Sequence, residues 1–136
     1  MGCASSGSSL KGGVVGADLV RMARRQIGIR YRYGGNSPDE GFDCSGLVHY
    51  CFAQLGASVP RTTAALFKEG HKVAKGSLKP GDLVFFDTGW GGVSHVGIYS
   101  GGDKMVHAPS SGAKIREENI AIKYWLTRFL GARRLD

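Results

Sequence analysis

The sequence lacks a long apolar run. No stretch approaches the roughly 18 residues that a membrane-spanning helix needs, and the longest apolar pieces, such as residues 83–86, have the length of a strand. Three cysteines in 136 residues are too few for the disulfide framework of a small secreted scaffold. The 22 glycines follow no G-X-Y period, which excludes a collagen-like chain. With 42% hydrophobic and 21% charged residues, the composition and the length predict one globular domain.

Concentrated charge is also missing. The formal net charge of +7 suits an anionic partner. The basic residues are nevertheless scattered, and only residues 21–25 and 133–134 form tight groups. Neither group is interleaved with aromatic residues in the pattern typical of nucleic-acid binding. We therefore expect a solvated basic face and no nucleic-acid partner.

Signatures of cofactor sites are absent from the sequence as well. The glycine pairs at 34–35 and 101–102 are not followed by the Gly-Lys-Ser/Thr of a phosphate-binding loop. Zinc ligands usually come in close pairs such as C-x₂-C or H-x₃-H, and no such pair occurs. A zinc site made of Cys44, His95 and His107 is thus the weaker alternative, and we expect neither a metal nor a cofactor.

The chain divides into a Ser/Gly-rich tether at residues 1–13 and a domain at residues 14–136. Apolar periodicity predicts a first helix over residues 17–27, a second from Asp43 or Cys44 to the stop at Gly56, and a short third at 60–69, with a Gly-rich loop at 31–42. Strands are predicted at 83–87, 94–99, 104–108, 114–117 and 129–133. Helices followed by a strand meander predict an α+β fold, with N-terminal helices packed on an antiparallel sheet.

Cys44 is the candidate nucleophile. It follows the Gly-rich loop and opens the second predicted helix, where free N–H groups and the helix dipole stabilise a thiolate and lower its pKa. The small neighbours Ser45 and Gly46 would let another chain approach closely. The alternative is a core residue that shares the buried stripe with Cys51, for which we expect only a packing role.

A cysteine nucleophile needs a base, and the chain has four histidines. We expect His49 to be packed or solvated on its helix and His71 to be exposed in a turn. His95 and His107 lie on successive predicted strands, and adjacent strands can bring them side by side on one face. A base whose second ring nitrogen is held by another polar group is the arrangement of a catalytic triad.

These motifs resemble those of the NlpC/P60 cysteine peptidases over nearly all of the chain outside the tether. The matching pieces are Tyr-Arg-Tyr-Gly-Gly at 31–35, Phe-Asp-Cys-Ser-Gly-Leu-Val at 42–48, Pro-Arg-Thr at 60–62, Leu-Lys-Pro-Gly-Asp-Leu-Val-Phe-Phe at 78–86, Ser-His-Val-Gly-Ile-Tyr at 94–99 and Val-His-Ala at 106–108. The likeness is strongest to small lipoproteins of the Spr type. It implies a papain-like fold, hydrolysis of peptidoglycan stem peptides and no cofactor.

The resemblance also implies roles for single residues. Cys44 matches the nucleophile, His95 the general base and His107 the third polar residue that orients the base. A further three residues match substrate-binding positions, and these are Tyr31, Asp43 and Ser45. The spacing from Tyr31 to Cys44 is one residue longer than in the Spr-type proteins, so either Tyr31 or Tyr33 faces the site.

The N-terminus resembles the mature start of a bacterial lipoprotein, since Gly2 and Cys3 precede a Ser/Gly-rich segment. This resemblance implies lipidation of Cys3 and contact with a membrane through that lipid; an accidental cysteine is the alternative. The residue after the cysteine is Ala4 rather than an aspartate, which favours an outer-membrane lipoprotein that faces the periplasm. We further expect a monomer.

The scissile bond is expected to be the D-Ala–diaminopimelate cross-link rather than the D-γ-glutamyl–diaminopimelate bond within one stem. Family members that cut within the stem often carry an extra N-terminal domain, and only residues 1–13 precede the first predicted helix. Two other functions stay open. One is an acyltransferase or amidase that uses the same Cys and His residues, and the other is a non-catalytic module that binds the cell wall.

Overall fold

The structure, a computed structural model, describes residues 9–136 and has the predicted α+β architecture. Its helices are α1 (Gly16–Arg24), α2 (Cys44–Gln54), α3 (Thr63–Leu66) and α4 (Lys123–Leu126), with short 3₁₀ turns at Lys11–Gly13 and Lys75–Ser77. Its strands are β1 (Asn36–Ser37), β2 (Gly41–Phe42), β3 (His71–Val73), β4 (Leu83–Phe86), β5 (His95–Gly101), β6 (Lys104–His107), β7 (Arg116–Asn119) and β8 (Phe129–Arg134).

Six strands form one antiparallel sheet in the order β3-β8-β4-β5-β6-β7, and β1 and β2 form a separate hairpin. The strands from β4 to β7 follow one another as the predicted meander. The last strand, β8, returns to pair with β4, and the bidentate ion pair between Arg134 and the fully buried Asp82 holds it there at 2.8 Å.

Two apolar layers cover the sheet. On one face α1 and α2 pack against Leu83, Phe85 and the other side chains that point the same way. On the opposite face the short helix α4 brings Trp125 against Phe86. The strand β4 is therefore buried on both faces, which explains why it is a continuous apolar run rather than an alternating one.

The second helix and the strand meander confirm the sequence predictions, whereas several other predictions were wrong. The first helix ends at Arg24 rather than Ile27, and Ile27 is 44% exposed instead of lying on the apolar stripe. The strand predicted at 114–117 begins at Arg116, two residues late. The hairpin β1–β2, the edge strand β3 and the helix α4 were not predicted. These elements are only two to four residues long, so a periodic pattern cannot establish itself in them.

The boundary of the domain also differs from the prediction. Leu10 is buried in the core, and the backbone N–H of Lys11 donates to the carbonyl of Leu135 at 2.6 Å. The domain therefore includes residues that we assigned to the tether, because the short segment before α1 packs on the last strand. Residues 1–8, with Cys3, lie outside the described residues. Within the part of the chain that is described, no helix has both the length and the apolar character to cross a bilayer.

Candidate active site

Cys44 is the first residue of α2, and a side-chain cap fixes the start of that helix. The Asp43 Oδ1 atom accepts a hydrogen bond from the backbone N–H of Gly46 at 2.7 Å. A Cβ atom on Gly46 would collide with the carbonyl oxygen of Gly35, so glycine lets the helix pack directly on the preceding loop. The Cys44 thiol is consequently held in the first turn of the helix, as the sequence predicts.

Arg61 ties this helix start to the loop before it. Its guanidinium lies 3.0 Å from Asp43 Oδ1 and donates to Ser45 Oγ at 2.9 Å and to the carbonyl of Gly35 at 3.2 Å. Neither Asp43 nor Ser45 is among the residues that line the cleft beside Cys44. The polar groups of both residues are instead engaged in supporting the nucleophile position, and Arg61 is the supporting residue that the sequence analysis did not single out.

The Cys44 thiol is partly exposed and lies beside Thr63. The Sγ atom is 3.4 Å from the Thr63 hydroxyl and 4.0 Å from the carbonyl oxygen of Ser94. Burial raises the pKa of the thiol, and the Thr63 hydroxyl and the backbone N–H groups of Val96 and Ser45 offset only part of that effect. The prediction of a lowered pKa was therefore wrong, because desolvation outweighs the donors at the helix start.

His95 and His107 form the hydrogen-bonded pair that the sequence predicts. Ile98 on β5 pairs with Val106 on β6, and this register places both imidazoles on one face of the sheet, where His95 Nε2 lies 2.8 Å from His107 Nδ1. A Cβ atom on Gly97 would stand 3.3 Å from the His107 Cβ and 2.5 Å from Met105 Sδ. Glycine at this position of β5 thus leaves room for the Met105 and His107 side chains of β6.

The thiol and the imidazole meet in the same cleft, although no hydrogen bond joins Cys44 and His95 among residues 9–136. Contacts of this kind are often long before substrate binds and tighten in the complex. The other histidines lie elsewhere: His49 Nδ1 is 2.9 Å from the carbonyl oxygen of Val59, and the exposed His71 pairs with Asp136.

An aromatic layer encloses the two imidazoles. Trp125 stacks on His95 with ring centroids 5.6 Å apart and an interplanar angle of 23°, and its ring meets His107 edge-on at 5.3 Å. Burial lowers the pKa of His95 to about 3, with a further contribution from His107, and lowers that of His107 to about 4. Both rings are therefore neutral at pH 7. Trp125 is not among the residues predicted from the sequence, because it lies in the unpredicted helix α4.

Glu118 on β7 extends the histidine pair. Its Oε1 atom lies 2.9 Å from His107 Nε2 and 3.1 Å from Arg116 Nε. The predicted strand ended at residue 117, so this residue was not considered. A signal was present nevertheless, because Met105 pairs with Glu118 in the strand register and alternate residues of β6 and β7 share the face that carries His107.

The cleft has a volume of about 760 Å³ and an aromatic rim. Tyr31 is partly buried close to Cys44, and its pKa is raised by burial, by Cys44 where its thiol ionises, and by the Asp43 carboxylate. Tyr33 is 87% exposed and Trp90 84% exposed, and both line the same cleft. Tyr31 is thus the tyrosine beside the thiol, and Tyr33 contributes to the rim.

Metal binding was the weaker alternative for the cysteine and the two histidines. Among the residues that the structure describes, no group of three or more His, Cys, Asp or Glu side chains is placed to hold a metal ion.

Comparison with known proteins identifies relatives over most of the chain. A model of the NlpC/P60 family matches residues 28–134. The gamma-DL-glutamyl hydrolase of Bacillus subtilis is 42% identical over 120 residues, which are 87% of this chain and 29% of that protein. The murein DD-endopeptidase MepH of Escherichia coli is also 42% identical, over 115 residues that make up 82% of this chain and 42% of that protein.

A solved structure of an NlpC/P60 family protein from Bacillus cereus superposes with a TM-score of 0.82 at 33% identity, covering 88% of this chain and 40% of that one. The chain therefore spans less than half the length of each of these relatives.

Proposed function

The chain belongs to the NlpC/P60 family, and we propose that it is a cysteine endopeptidase that hydrolyses the stem peptides of peptidoglycan. The observation that carries this proposal is the shared cleft, which is lined by Cys44 and by His95, the imidazole whose Nε2 atom is hydrogen-bonded to His107. Two relatives of equal identity support the class of reaction, since one is called a glutamyl hydrolase and the other a murein endopeptidase.

Cys44 acts as the nucleophile and His95 as the general base. Because the pKa of the thiol is raised and the imidazole is neutral, the resting site holds an S–H group and a free ring nitrogen rather than an ion pair. The Cys44 proton passes to His95 as sulfur attacks the scissile carbonyl carbon. The C–N bond then breaks, and the imidazolium returns its proton to the leaving amine, which leaves a thioester on Cys44.

Water completes the reaction. His95 takes a proton from the attacking water, the C–S bond of the thioester breaks, and the sulfur recovers a proton from the imidazolium as the new carboxylic acid departs. His107 orients the base throughout, because its ring nitrogen is bonded to His95 Nε2. The two half-reactions return Cys44 and His95 to their starting protonation states.

The backbone N–H of Cys44 is our candidate for the oxyanion donor. It makes no hydrogen bond among residues 9–136, and as the first N–H group of α2 it points out of the helix start. Tyr31, which lies beside the thiol, is the second candidate donor. Each such donor is typically worth about 10²–10³ in kcat.

We propose the D-Ala–diaminopimelate cross-link as the scissile bond. The likeness to Spr-type proteins and to a relative called a DD-endopeptidase supports this choice. The equally similar relative called a gamma-DL-glutamyl hydrolase supports the bond within the stem, so product analysis must decide between them.

The test is to incubate purified sacculi with the chain and to identify the released muropeptides by mass spectrometry. We expect cross-linked dimers to fall and monomers with intact tetrapeptides to rise, with no change for Cys44→Ala and full turnover for Cys51→Ala. Dipeptide-bearing products would show that the bond within the stem is cut. Products in which an added amine replaces water would identify an acyltransferase, and no products from the folded chain would overturn the enzyme proposal.

For the location we propose the bacterial envelope, with a lipid on Cys3 that holds the domain at the outer membrane facing the periplasm. Gly2, Cys3 and the Ser/Gly-rich residues that follow support this proposal. Expression behind a lipoprotein signal peptide should give a lipid-modified Cys3 by mass spectrometry. A Cys3→Ser variant that still partitions with membranes would argue against the anchor.

A further inference from the structure

Glu118 is the end of a continuous chain of hydrogen-bonding groups that runs through both histidines. The chain begins at the Glu118 carboxylate, crosses the His107 ring from Nε2 to Nδ1 and reaches His95 Nε2, with steps of 2.9 and 2.8 Å. The His107 side chain is fully buried and His95 is 3% exposed, so water does not compete for the bond between the two rings; the Glu118 side chain at the end of the chain is 25% exposed.

The chemistry of the three groups gives this chain a direction. Partial burial alone would raise the pKa of Glu118, but the nearby Trp125 indole and the bonds from His107 and Arg116 outweigh it, so the pKa lies below its ordinary value and the group is ionised at pH 7. An ionised carboxylate only accepts hydrogen bonds.

The direction then passes through both rings. His107 Nε2 must carry the hydrogen that Glu118 accepts, and in a neutral imidazole the other nitrogen is then an acceptor. His107 Nδ1 therefore accepts from His95 Nε2, which must be a donor. The other ring nitrogen of His95, Nδ1, then carries no hydrogen and has a free lone pair. It makes no hydrogen bond within residues 9–136.

We propose that Glu118 is a positioning residue that sets the tautomers of His107 and His95, so that the basic nitrogen of His95 is Nδ1. This inference rests on the proposed function, because it assigns the nitrogen that takes the Cys44 proton. It extends the cysteine and the two histidines to a fourth residue on a third strand.

A second effect follows from the charge of Glu118. When His95 takes up the thiol proton, a positive charge develops in a buried aromatic pocket, and the Glu118 carboxylate is the negative charge at the end of the chain. Arg116 holds Oε1 of the same carboxylate at 3.1 Å from the other side. Without Glu118, the positive charge of Arg116 would no longer be paired with a carboxylate and would repel the positive charge that develops on the histidines.

The test combines a spectroscopic and a kinetic measurement on the full chain. Side-chain ¹⁵N NMR at pH 7 reports which nitrogen of each histidine bears the hydrogen. We expect protonated Nε2 and bare Nδ1 for both His95 and His107. In Glu118→Ala the His107 signals should shift toward a mixture of tautomers, whereas in Glu118→Gln the amide oxygen still accepts and the wild-type pattern should persist.

Activity on muropeptides should rank the variants as the NMR signals do, with Glu118→Ala more affected than Glu118→Gln. We expect kcat of Glu118→Ala to fall about 10- to 100-fold with KM within two-fold, less than the ~10⁴-fold loss that accompanies a fully wrong tautomer in a catalytic triad. Glu118→Gln keeps the acceptor and loses the charge, so its kcat should fall less than 10-fold.

Glu117→Gln is the matched control. Glu117 is the neighbour on the same strand, but it bonds Arg24 and Ser100 instead of the histidines, so its loss should leave both the tautomers and kcat unchanged. Wild-type tautomers and wild-type kcat in Glu118→Ala would overturn the inference. A chain that shows the expected NMR pattern and its loss in Glu118→Ala, but cuts no muropeptide, would overturn the proposed function and leave the tautomer assignment standing.

Discussion

The two sides of the cleft are built in different ways. The cysteine side is a helix start held by polar contacts, in which Asp43 caps α2 and Arg61 links the cap to the loop before it. The histidine side is a buried stack, in which residues of three strands meet the ring of Trp125. One side is held by a helix cap and an ion pair, and the other by hydrogen-bonded imidazoles packed under an indole ring.

The protonation state is nevertheless the same on the two sides. On both sides burial favours the neutral form, which raises the pKa of the Cys44 thiol and lowers that of His95. The residue Cys44 is partly exposed, however, whereas both histidines are buried, and backbone N–H groups oppose the effect of burial at Cys44. The thiol is therefore the group that a substrate or reagent reaches first, while the pKa values of the buried histidines are set by their protein neighbours.

The largest expected effect comes from the histidine side. His95→Ala removes the base, and we expect kcat/KM on muropeptides to fall about 10³-fold or more, because general-base catalysis contributes about 10²–10⁴-fold. His107→Ala should lose less, and His107→Asn should retain part of the activity, because His107 orients the base rather than accepting the thiol proton.

His71→Ala is the control for these variants, since its ring is exposed and pairs with Asp136, and neither residue lines the cleft. Wild-type kcat/KM in both His95→Ala and His107→Ala would refute the pairing of the two histidines as the catalytic base and its support.

The next effect compares the two cysteines of the described chain. Iodoacetamide should label Cys44 about 100-fold faster than Cys51 at pH 7, because Cys51 is fully buried and burial raises its pKa to about 12. The Cys44 rate should still climb as the pH rises above 8, since its own pKa is raised. Peptide mapping by mass spectrometry separates the sites. Faster labelling at Cys51 would reject Cys44 as the nucleophile, and a rate independent of pH above 6 would show a thiolate at rest.

Most of the cysteine side could be predicted from the sequence because its causes are local. The start of α2 is specified by contiguous residues, namely the Gly-rich loop, the capping Asp43 and the apolar stripe after Cys44. These residues predict a helix start without reference to distant segments. The pKa of the thiol could not be predicted in this way. It depends on how deeply the helix start is buried by Thr63 and by the end of the loop at Ser94, which are distant in sequence.

The histidine side could be predicted only in part. Two successive strands predicted the meeting of His95 and His107, since hairpin neighbours share a face. Trp125 lies in a four-residue helix with no periodic signal, and Glu118 lies just beyond a strand whose predicted end was too early. Trp125 reaches the imidazoles through tertiary packing, which composition and spacing do not encode, whereas the position of Glu118 follows from the alternation along β7 once that strand extends past residue 117.

Removing the cap tests whether polar contacts hold the cysteine side together. Asp43→Ala removes the acceptor of the Gly46 and Gly34 N–H groups and leaves Arg61 without its carboxylate. We expect a loss of about 2–3 kcal/mol in the free energy of unfolding, from a cap worth about 1 kcal/mol and a partly buried ion pair. Asp43→Asn keeps the cap and should lose about 1 kcal/mol. Equal urea midpoints for Asp43→Ala and the wild type would show that packing alone fixes the helix start.

The last effect is a pH dependence that belongs to the histidine side. His95 and His107 titrate near pH 6.5 when unfolded, but at about 3 and about 4 when buried in the fold. Between pH 6.5 and 5 the unfolded chain therefore binds protons that the native chain does not, so stability falls as the pH falls. Each histidine contributes a slope of up to about 1.4 kcal/mol per pH unit.

This window lies above the range in which Glu117 and Glu118, with lowered pKa values, take up protons. Urea unfolding of the wild type and of His107→Asn should differ in slope by the contribution of one histidine, and equal slopes would mean that the His107 ring is charged in the folded chain.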